Sequence, residues 1–153
     1  MIARDDDGED LGALLSQLLG VVVERETPIL GAHGVTMWEY VILSRLLAEP
    51  GLTQKELARR SRRDPTRLIG HLDALGDRGL VAREVDEVDR RRRTVRLTDA
   101  GTDLVRAVRH DIRHMETELL GDGTGGVQHH LRDALAAVLS RSGLPDPSPD
   151  YAG

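Results

Sequence analysis

Residues 53–98 read TQKELARRSRRDPTRLIGHLDALGDRGLVAREVDEVDRRRRTVRLT, and the punctuation of this stretch decides the fold. Thr53-Gln-Lys-Glu56 is a capping box, a Thr followed three residues later by Glu, and it opens a short helix running to about Ser61. Asp64 then offers an N-cap oxygen and Pro65 suits a first helical position, so a second helix starts there and ends at Gly79. Leu80 to Asp86 and Arg92 to Leu97 read as two strands around a charged tip. Thr98 caps a further, longer helix. Two short capped helices, a tight connection and a hairpin form the order of a winged helix-turn-helix, whose second helix lies in a DNA major groove and is held there by the first.

Outward from this centre the chain is helical. A first helix runs from about Glu9 to Leu30, with Leu11, Leu14, Leu15, Leu18 and Val22 on one side. Gly31 to Val35 breaks it. The capping box Thr36-Met-Trp-Glu39 opens the next helix, which ends near Pro50. After Thr98 a long helix carries the apolar stripe Leu104, Val108, Ile112, Met115 and Leu119. The run GDGTGG, Gly121 to Gly126, separates it from a last helix in which Leu131, Leu135, Val138 and Leu139 are expected to face inward. The expected fold is therefore mainly α with a small β-hairpin wing. A single domain over residues 9–142 holds a winged helix-turn-helix at 35–98 and terminal dimerisation helices at 9–31 and 99–142. The acidic start, residues 1–8, and the Pro- and Gly-bearing tail, residues 143–153, are expected to be disordered.

Composition narrows the function. With 153 residues there is room for one domain with a real core. Three aromatics, Trp38, Tyr40 and Tyr151, and no Phe leave that core to Leu, Val, Ile and Ala, which suits packed helices. The absence of Cys removes disulfides, thiolate metal sites and thiol redox sensing. No apolar run reaches the roughly 18 residues of a membrane span, and the start lacks a signal layout, so the expected location is the cytoplasm. The net charge is −5, yet 13 basic residues face 8 acidic ones between Thr53 and Thr98, a local balance of 13 − 8 = +5. A basic block within an acidic chain gives a local footprint for phosphates, while the acidic remainder discourages indiscriminate binding.

At about 100° per residue, Leu68, Leu72 and Leu75 share one face of the helix that starts at Pro65. Thr66, Arg67, Gly70 and Ala74 lie opposite, with His71 at the edge. Arg67 can donate two hydrogen bonds to a guanine edge, and Thr66 can meet a phosphate or a thymine methyl. Gly70 is costly in a helix, by about 1 kcal/mol relative to Ala, and close approach to DNA would justify it. An ordinary amphipathic helix with a solvated outer face is the alternative. The hairpin weighs against it. Four consecutive arginines, Arg90 to Arg93, repel one another and have no evident structural duty, whereas a minor groove with its focused negative potential would stabilise them. Asp89, two residues before Arg91, is placed to brace that guanidinium by paired hydrogen bonds.

From about Leu11 to Leu139 the chain resembles the MarR family, the multiple antibiotic resistance regulators. The resemblance rests on LTQKELARRS, on DPTRLIGHLDALGDRGLV and on DRRRRTVRLTDAG, the last being a wing followed by Leu-Thr-x-x-Gly at the start of a long helix. It implies a homodimer built by the first, fifth and sixth helices, with two wings flanking the DNA. It also implies that Arg91 enters the minor groove with Asp89 as its brace, and that Thr66, Arg67 and Gly70 sit at the reading positions. Gly70 stands where a polar residue is often found. Such proteins usually bind a small anionic or phenolic ligand between the dimerisation helices and the DNA-binding lobe, which shifts the recognition helices away from a separation of about 34 Å.

The expected DNA contacts are thus Thr53, Gln54, Arg63, Asp64, Pro65, Thr66, Arg67, Gly70, His71, Asp89, Arg90, Arg91 and Arg92. The expected dimer contacts are Leu11, Leu14, Leu15, Leu18, Leu119, Leu131, Leu135, Val138 and Leu139. The function expected is a sequence-specific duplex-DNA-binding repressor, a homodimer released by a small ligand, with no cofactor and no catalytic machinery. Three other readings compete with it. His110 and His114 stand at i, i+4, and with His129, His130 and Glu118 they outline a zinc-responsive version, although both fall on the polar side of their helix. An enzyme lacks its motifs: GDGTGG joins two helices without the strand and Lys of a phosphate loop, and His110-Asp-Ile-Arg-His114 has no metalloprotease Glu. A winged-helix module for a protein partner would be expected to lose the basic wing.

Overall fold

The computed structural model describes residues 8–61, 63–86, 88–121 and 126–141. The expectations for residues 1–7, for the centre of GDGTGG and for the tail from 143 lie outside these. Among the described residues the elements run α1 (Leu11–Ala32), α2 (Met37–Ala48), β1 (Leu52–Thr53), α3 (Gln54–Arg60), α4 (Pro65–Asp77), β2 (Val81–Val85), β3 (Arg93–Leu97), α5 (Asp99–Leu120) and α6 (Val127–Arg141).

Each helix of the central lobe starts where a side chain satisfies its first free N–H groups. The Thr36 hydroxyl accepts from Glu39 N–H at 3.2 Å while the Glu39 carboxylate accepts from Thr36 N–H at 2.8 Å. The same reciprocal pair opens α3 between Thr53 and Glu56. Asp64 accepts from the Thr66 and Arg67 N–H groups at 3.0 and 3.2 Å, and Pro65 occupies the first turn of α4. Gly79, at φ 68°, turns the chain out of α4 and into β2.

The three strands form one antiparallel sheet in the order β1-β3-β2. Val81 pairs with Leu97 and Val85 with Arg93, so the hairpin is in register along its length. β1, two residues long, pairs Leu52 with Val95 and Thr53 with Thr94. The sequence does not announce this strand, because two residues carry no period. The sheet thereby anchors the wing to the start of α3.

Gly101 shows why glycine follows Leu-Thr-x-x at the start of α5. A Cβ built there would collide with the Leu80 carbonyl, coming within 2.9 Å of its carbon and closer still to its oxygen, so the helix can meet the strand only without one. Thr98 joins the same contact, its hydroxyl donating to the Gly79 carbonyl at 2.6 Å and accepting from Gly101 N–H at 3.0 Å.

The core lies where α2, α3, α4, the sheet and α5 meet. Leu43, Leu57, Leu75, Val95 and Val108 are fully buried there. Val105, absent from the expected α5 stripe, is also fully buried, whereas Leu104 and Leu119 pack only at the core's edge. The last helix is a clear correction. Its apolar residues are expected to face inward, but α6 has no buried residue, and Leu135 and Val138 are 38% and 55% exposed. The first half of α1 is likewise open, with Leu11 at 71%. Among the described residues these apolar groups are left largely uncovered.

Candidate nucleic-acid interface

The outer face of α4 and the wing form one side of the central lobe. Leu68, Leu72 and Leu75 bind α4 to the core at 1% exposure or less, which fixes the opposite face outward. Pro65, Thr66, Arg67, Gly70 and Ala74 are exposed on that face, and His71 is half-buried at its edge. No side chain, ion pair or packed neighbour covers Gly70 among the described residues, so the helix backbone is bare at that turn. Ile69 is also exposed, at 44%, an apolar group on the flank of α4 away from Arg67.

The wing turns through a web of short backbone contacts. Asp86 accepts from the Val88 and Asp89 N–H groups at 2.8 and 3.1 Å, and these bonds hold its carboxyl below the usual carboxylate range. Asp86 N–H donates to the Arg92 carbonyl at 2.9 Å, and Arg92 N–H donates to the Asp89 carbonyl at 2.8 Å. Val88 stands at the tip and is 97% exposed.

Several expectations about this face need correction. The Asp89 carboxylate accepts from the backbone N–H of Arg91, at 3.0 Å, and not from its guanidinium. Asp89 shapes the turn that presents Arg91; it does not grip the side chain. Arg92 does have a structural duty. Its guanidinium donates to both oxygens of Glu56, at 2.6 and 2.8 Å, and so faces α3. Glu56 is held down to about 2 by the Thr53 backbone and hydroxyl and by Arg92. One carboxylate therefore caps α3 and tethers the wing. Arg90, Arg91 and Arg93 form no ion pair among the described residues.

The remaining expected contacts divide in the same way. Arg63 stacks on Trp38, its guanidinium carbon 3.2 Å from the ring centroid, which ties the α3–α4 connection to α2. The Thr53 hydroxyl donates to Glu56 at 2.8 Å and the Asp64 carboxylate caps α4, so both side chains position helices. Gln54 is half-buried at the start of α3. Arg83 reaches from β2 to Asp73 of α4 at 2.6 Å, and Arg96 pairs with Glu84 across the hairpin at 2.5 Å. The wing is thus bound to α3, to α4 and to itself.

A cleft of about 250 Å³ opens on the other side of α2, between α1, α2 and α5. Met37, Tyr40, Val41 and Ala48 give it an apolar wall, and Glu26, Ser44, Arg45 and Arg109 its polar groups. Burial, and then the nearby charge of Glu116, push the Glu26 carboxyl up to about 7. Past the end of α1, its C-cap His33 meets Asp111 of α5 at 2.7 Å. Among the described residues no three His, Cys, Asp or Glu groups come together as a metal site. His114 faces Glu118 at 3.7 Å and His129 faces Asp133 at 3.2 Å, so the zinc reading finds no third ligand there.

Residues 35–92, the stretch from the start of α2 to the tip of the wing, match the MarR family. The HTH-type transcriptional repressor Rv2887 of Mycobacterium tuberculosis is 30% identical over 134 residues, covering 88% of this chain and 96% of that protein. The chain belongs to the MarR family. Its fold agrees with solved MarR structures. The structure of Mycobacterium tuberculosis Rv2887 in complex with DNA aligns with a TM-score of 0.74 at 27% identity, over 86% of this chain and 98% of that one. CouR from Rhodococcus jostii, bound to p-coumaroyl-CoA, aligns with a TM-score of 0.71 at 27% identity, over 85% and 92%. Among the described residues, α2 to β3 of this MarR chain form the winged helix-turn-helix, and α1, α5 and α6 flank it.

Proposed function

We propose that this MarR chain is a sequence-specific, duplex-DNA-binding transcriptional repressor that acts as a homodimer in the cytoplasm and is released by a small ligand; it is a regulator and not an enzyme. The observation that carries the reading is the bare face of α4 beside a wing whose Arg90 and Arg91 lack acidic partners among the described residues. Thr66 and Arg67 stand on the first turn of α4, the part of a recognition helix that reaches base edges. Arg90, Arg91 and Arg93 have a net charge to place, and the minor groove supplies the negative potential for it. Gly70 permits the helix backbone to come close.

The second copy is called for by the open faces of α1 and α6. Leu11, Leu14, Leu15 and Leu135 are exposed apolar groups on the two terminal helices, with Leu18, Leu131 and Leu139 half-buried beside them. Burying such a surface against an identical one is the ordinary basis of a twofold dimer. A ligand in the cleft between α1, α2 and α5 touches both the terminal helices and the lobe that carries α4, so it can bias their relative position.

A hydroxyl-radical footprint on the DNA upstream of the protein's own gene tests this reading. Two protected patches about 34 Å apart on one side of the duplex are expected, with minor-groove protection beyond each. Uniform protection, or a single patch of half that extent, would contradict a dimer reading two half-sites.

A further inference from the structure

We infer that the cleft between α1, α2 and α5 takes a one- or two-ring ligand carrying a protonated amine, with Glu26 as the residue that receives the amine. The inference rests on the proposal that this cleft is the ligand site, and it names the chemistry of that ligand.

Glu26 is 6% exposed, and among the described residues its carboxyl accepts no hydrogen bond and forms no ion pair. Ser44, on the facing helix, has a buried hydroxyl that is also without a partner. A native fold seldom leaves a buried hydroxyl such as that of Ser44 unmet, and it lies at the same cavity as a carboxyl that has no partner among the described residues. The rest of the wall, Met37, Tyr40, Val41 and Ala48, is mostly apolar. The cavity therefore asks for a compact apolar body with a hydrogen-bond donor at one end.

Charge decides what that donor is. The groups facing Glu26 are Tyr40 and Arg45 from α2, and Arg109 and Glu116 from α5. Arg45 is engaged by Glu49 at 3.6 Å, and Glu116 by Arg132 of α6. Arg109 lines the cleft without reaching the Glu26 carboxylate, and it is partly exposed, so water screens its charge. The buried carboxyl is screened least. An ammonium would neutralise it and supply up to three N–H donors, with the aromatic ring of Tyr40 in the same wall. A carboxylate ligand would instead set a second negative charge against Glu26. Burial already holds the carboxyl near the middle of the neutral range, so ionisation on meeting a cation is within easy reach.

Tryptamine, tryptophol and indole-3-acetate form a matched set of probes with amine, hydroxyl and carboxylate ends on one ring system. Calorimetric titration of the full chain at about pH 8 is expected to rank them amine, alcohol, acid, with the amine ahead of the alcohol by about tenfold. The amine's affinity should rise about tenfold between about pH 6 and about pH 8 as Glu26 ionises, since an alkylammonium stays charged throughout. In Glu26→Gln the amine should fall to the level of the alcohol and lose its pH dependence, while unchanged alcohol binding shows that the variant is folded. Equal or tighter binding of the acid, or an amine preference that survives Glu26→Gln, would overturn the inference and leave the cleft as a ligand site. Failure of all three probes to bind the native protein would remove both.

Discussion

The central lobe and the terminal helices of this chain are built from the same aliphatic residues, but only one of them is closed. In α4 the leucines at 68, 72 and 75 are buried to 1% exposure or less, against α2, α3 and the sheet. In α6 the apolar positions Leu135 and Val138 remain open, and the helix buries nothing. Periodicity reports which face of a helix is apolar; it does not report what covers that face. The lobe covers its own, whereas the open faces at the ends are the ones assigned to the proposed dimer. Each part should therefore fail in its own way when broken.

The largest effect belongs to the closed part. Leu72→Ala removes a fully packed side chain and should cost about 2–5 kcal/mol. Urea denaturation will show it as a lower midpoint at any protein concentration. Leu135→Glu, by contrast, should leave each chain folded and weaken the dimer roughly a hundredfold, by about 3 kcal/mol. Sedimentation velocity with circular dichroism separates the two cases, and a native-strength dimer from this variant would defeat the assignment of α6 to the interface.

Gly101→Ala tests the joint between the lobe and α5. The new methyl meets the Leu80 carbonyl oxygen, so the helix must back away, and a loss of about 1–3 kcal/mol is expected. The same change at Gly70, where nothing lies within reach of a Cβ, should leave folding stability unchanged or slightly raised. If both behave alike in thermal denaturation, close packing is not the reason for glycine at Gly101.

Within the wing, Arg91→Ala should weaken operator binding by at least tenfold, about 1.4 kcal/mol. Arg92→Ala should act differently. It frees Glu56 and loosens the hairpin, so the loss in affinity should come with faster amide exchange at the start of α3. Exchange that is unaltered in Arg92→Ala would mean that the Glu56 tether does not hold the wing.

The smallest effect is at Glu26. Its carboxyl is raised from 4.5 to about 7, so folding favours the neutral form. That contribution is complete below the unfolded value and is lost as pH climbs through the folded one. Glu26→Gln stays neutral, so its Tm advantage over the native chain should grow from about pH 5 to about pH 7 and reach a few degrees, part of it offset by the buried amide. A constant difference across that range would show that Glu26 does not titrate in the fold.

Much of the lobe is legible in the sequence because its signals are local. The capping boxes at Thr36 and Thr53, Pro65 behind Asp64, and the leucine stripe of α4 each lie within a few residues. The parts that sequence reasoning misses are set by distant partners. Glu56 and Arg92 are 36 residues apart, and nothing near Arg92 tells that it turns inward while Arg91 does not. Asp89 does act on Arg91, but the turn delivers the backbone N–H to it and not the guanidinium. Glu26 does leave a signal. It follows Leu15, Leu18 and Val22 and precedes Leu30 on the stripe of α1, where an acidic residue in an apolar row marks a buried charge.

The central claim is that α4 and the wing read duplex DNA. Fluorescence anisotropy with the duplex beside the protein's own gene, against random duplex and across a salt series, tests it most directly. The account predicts binding at least about a thousandfold tighter than to random sequence, with an affinity that falls steeply as salt rises. Affinity equal to that for random duplex at every salt concentration would contradict it.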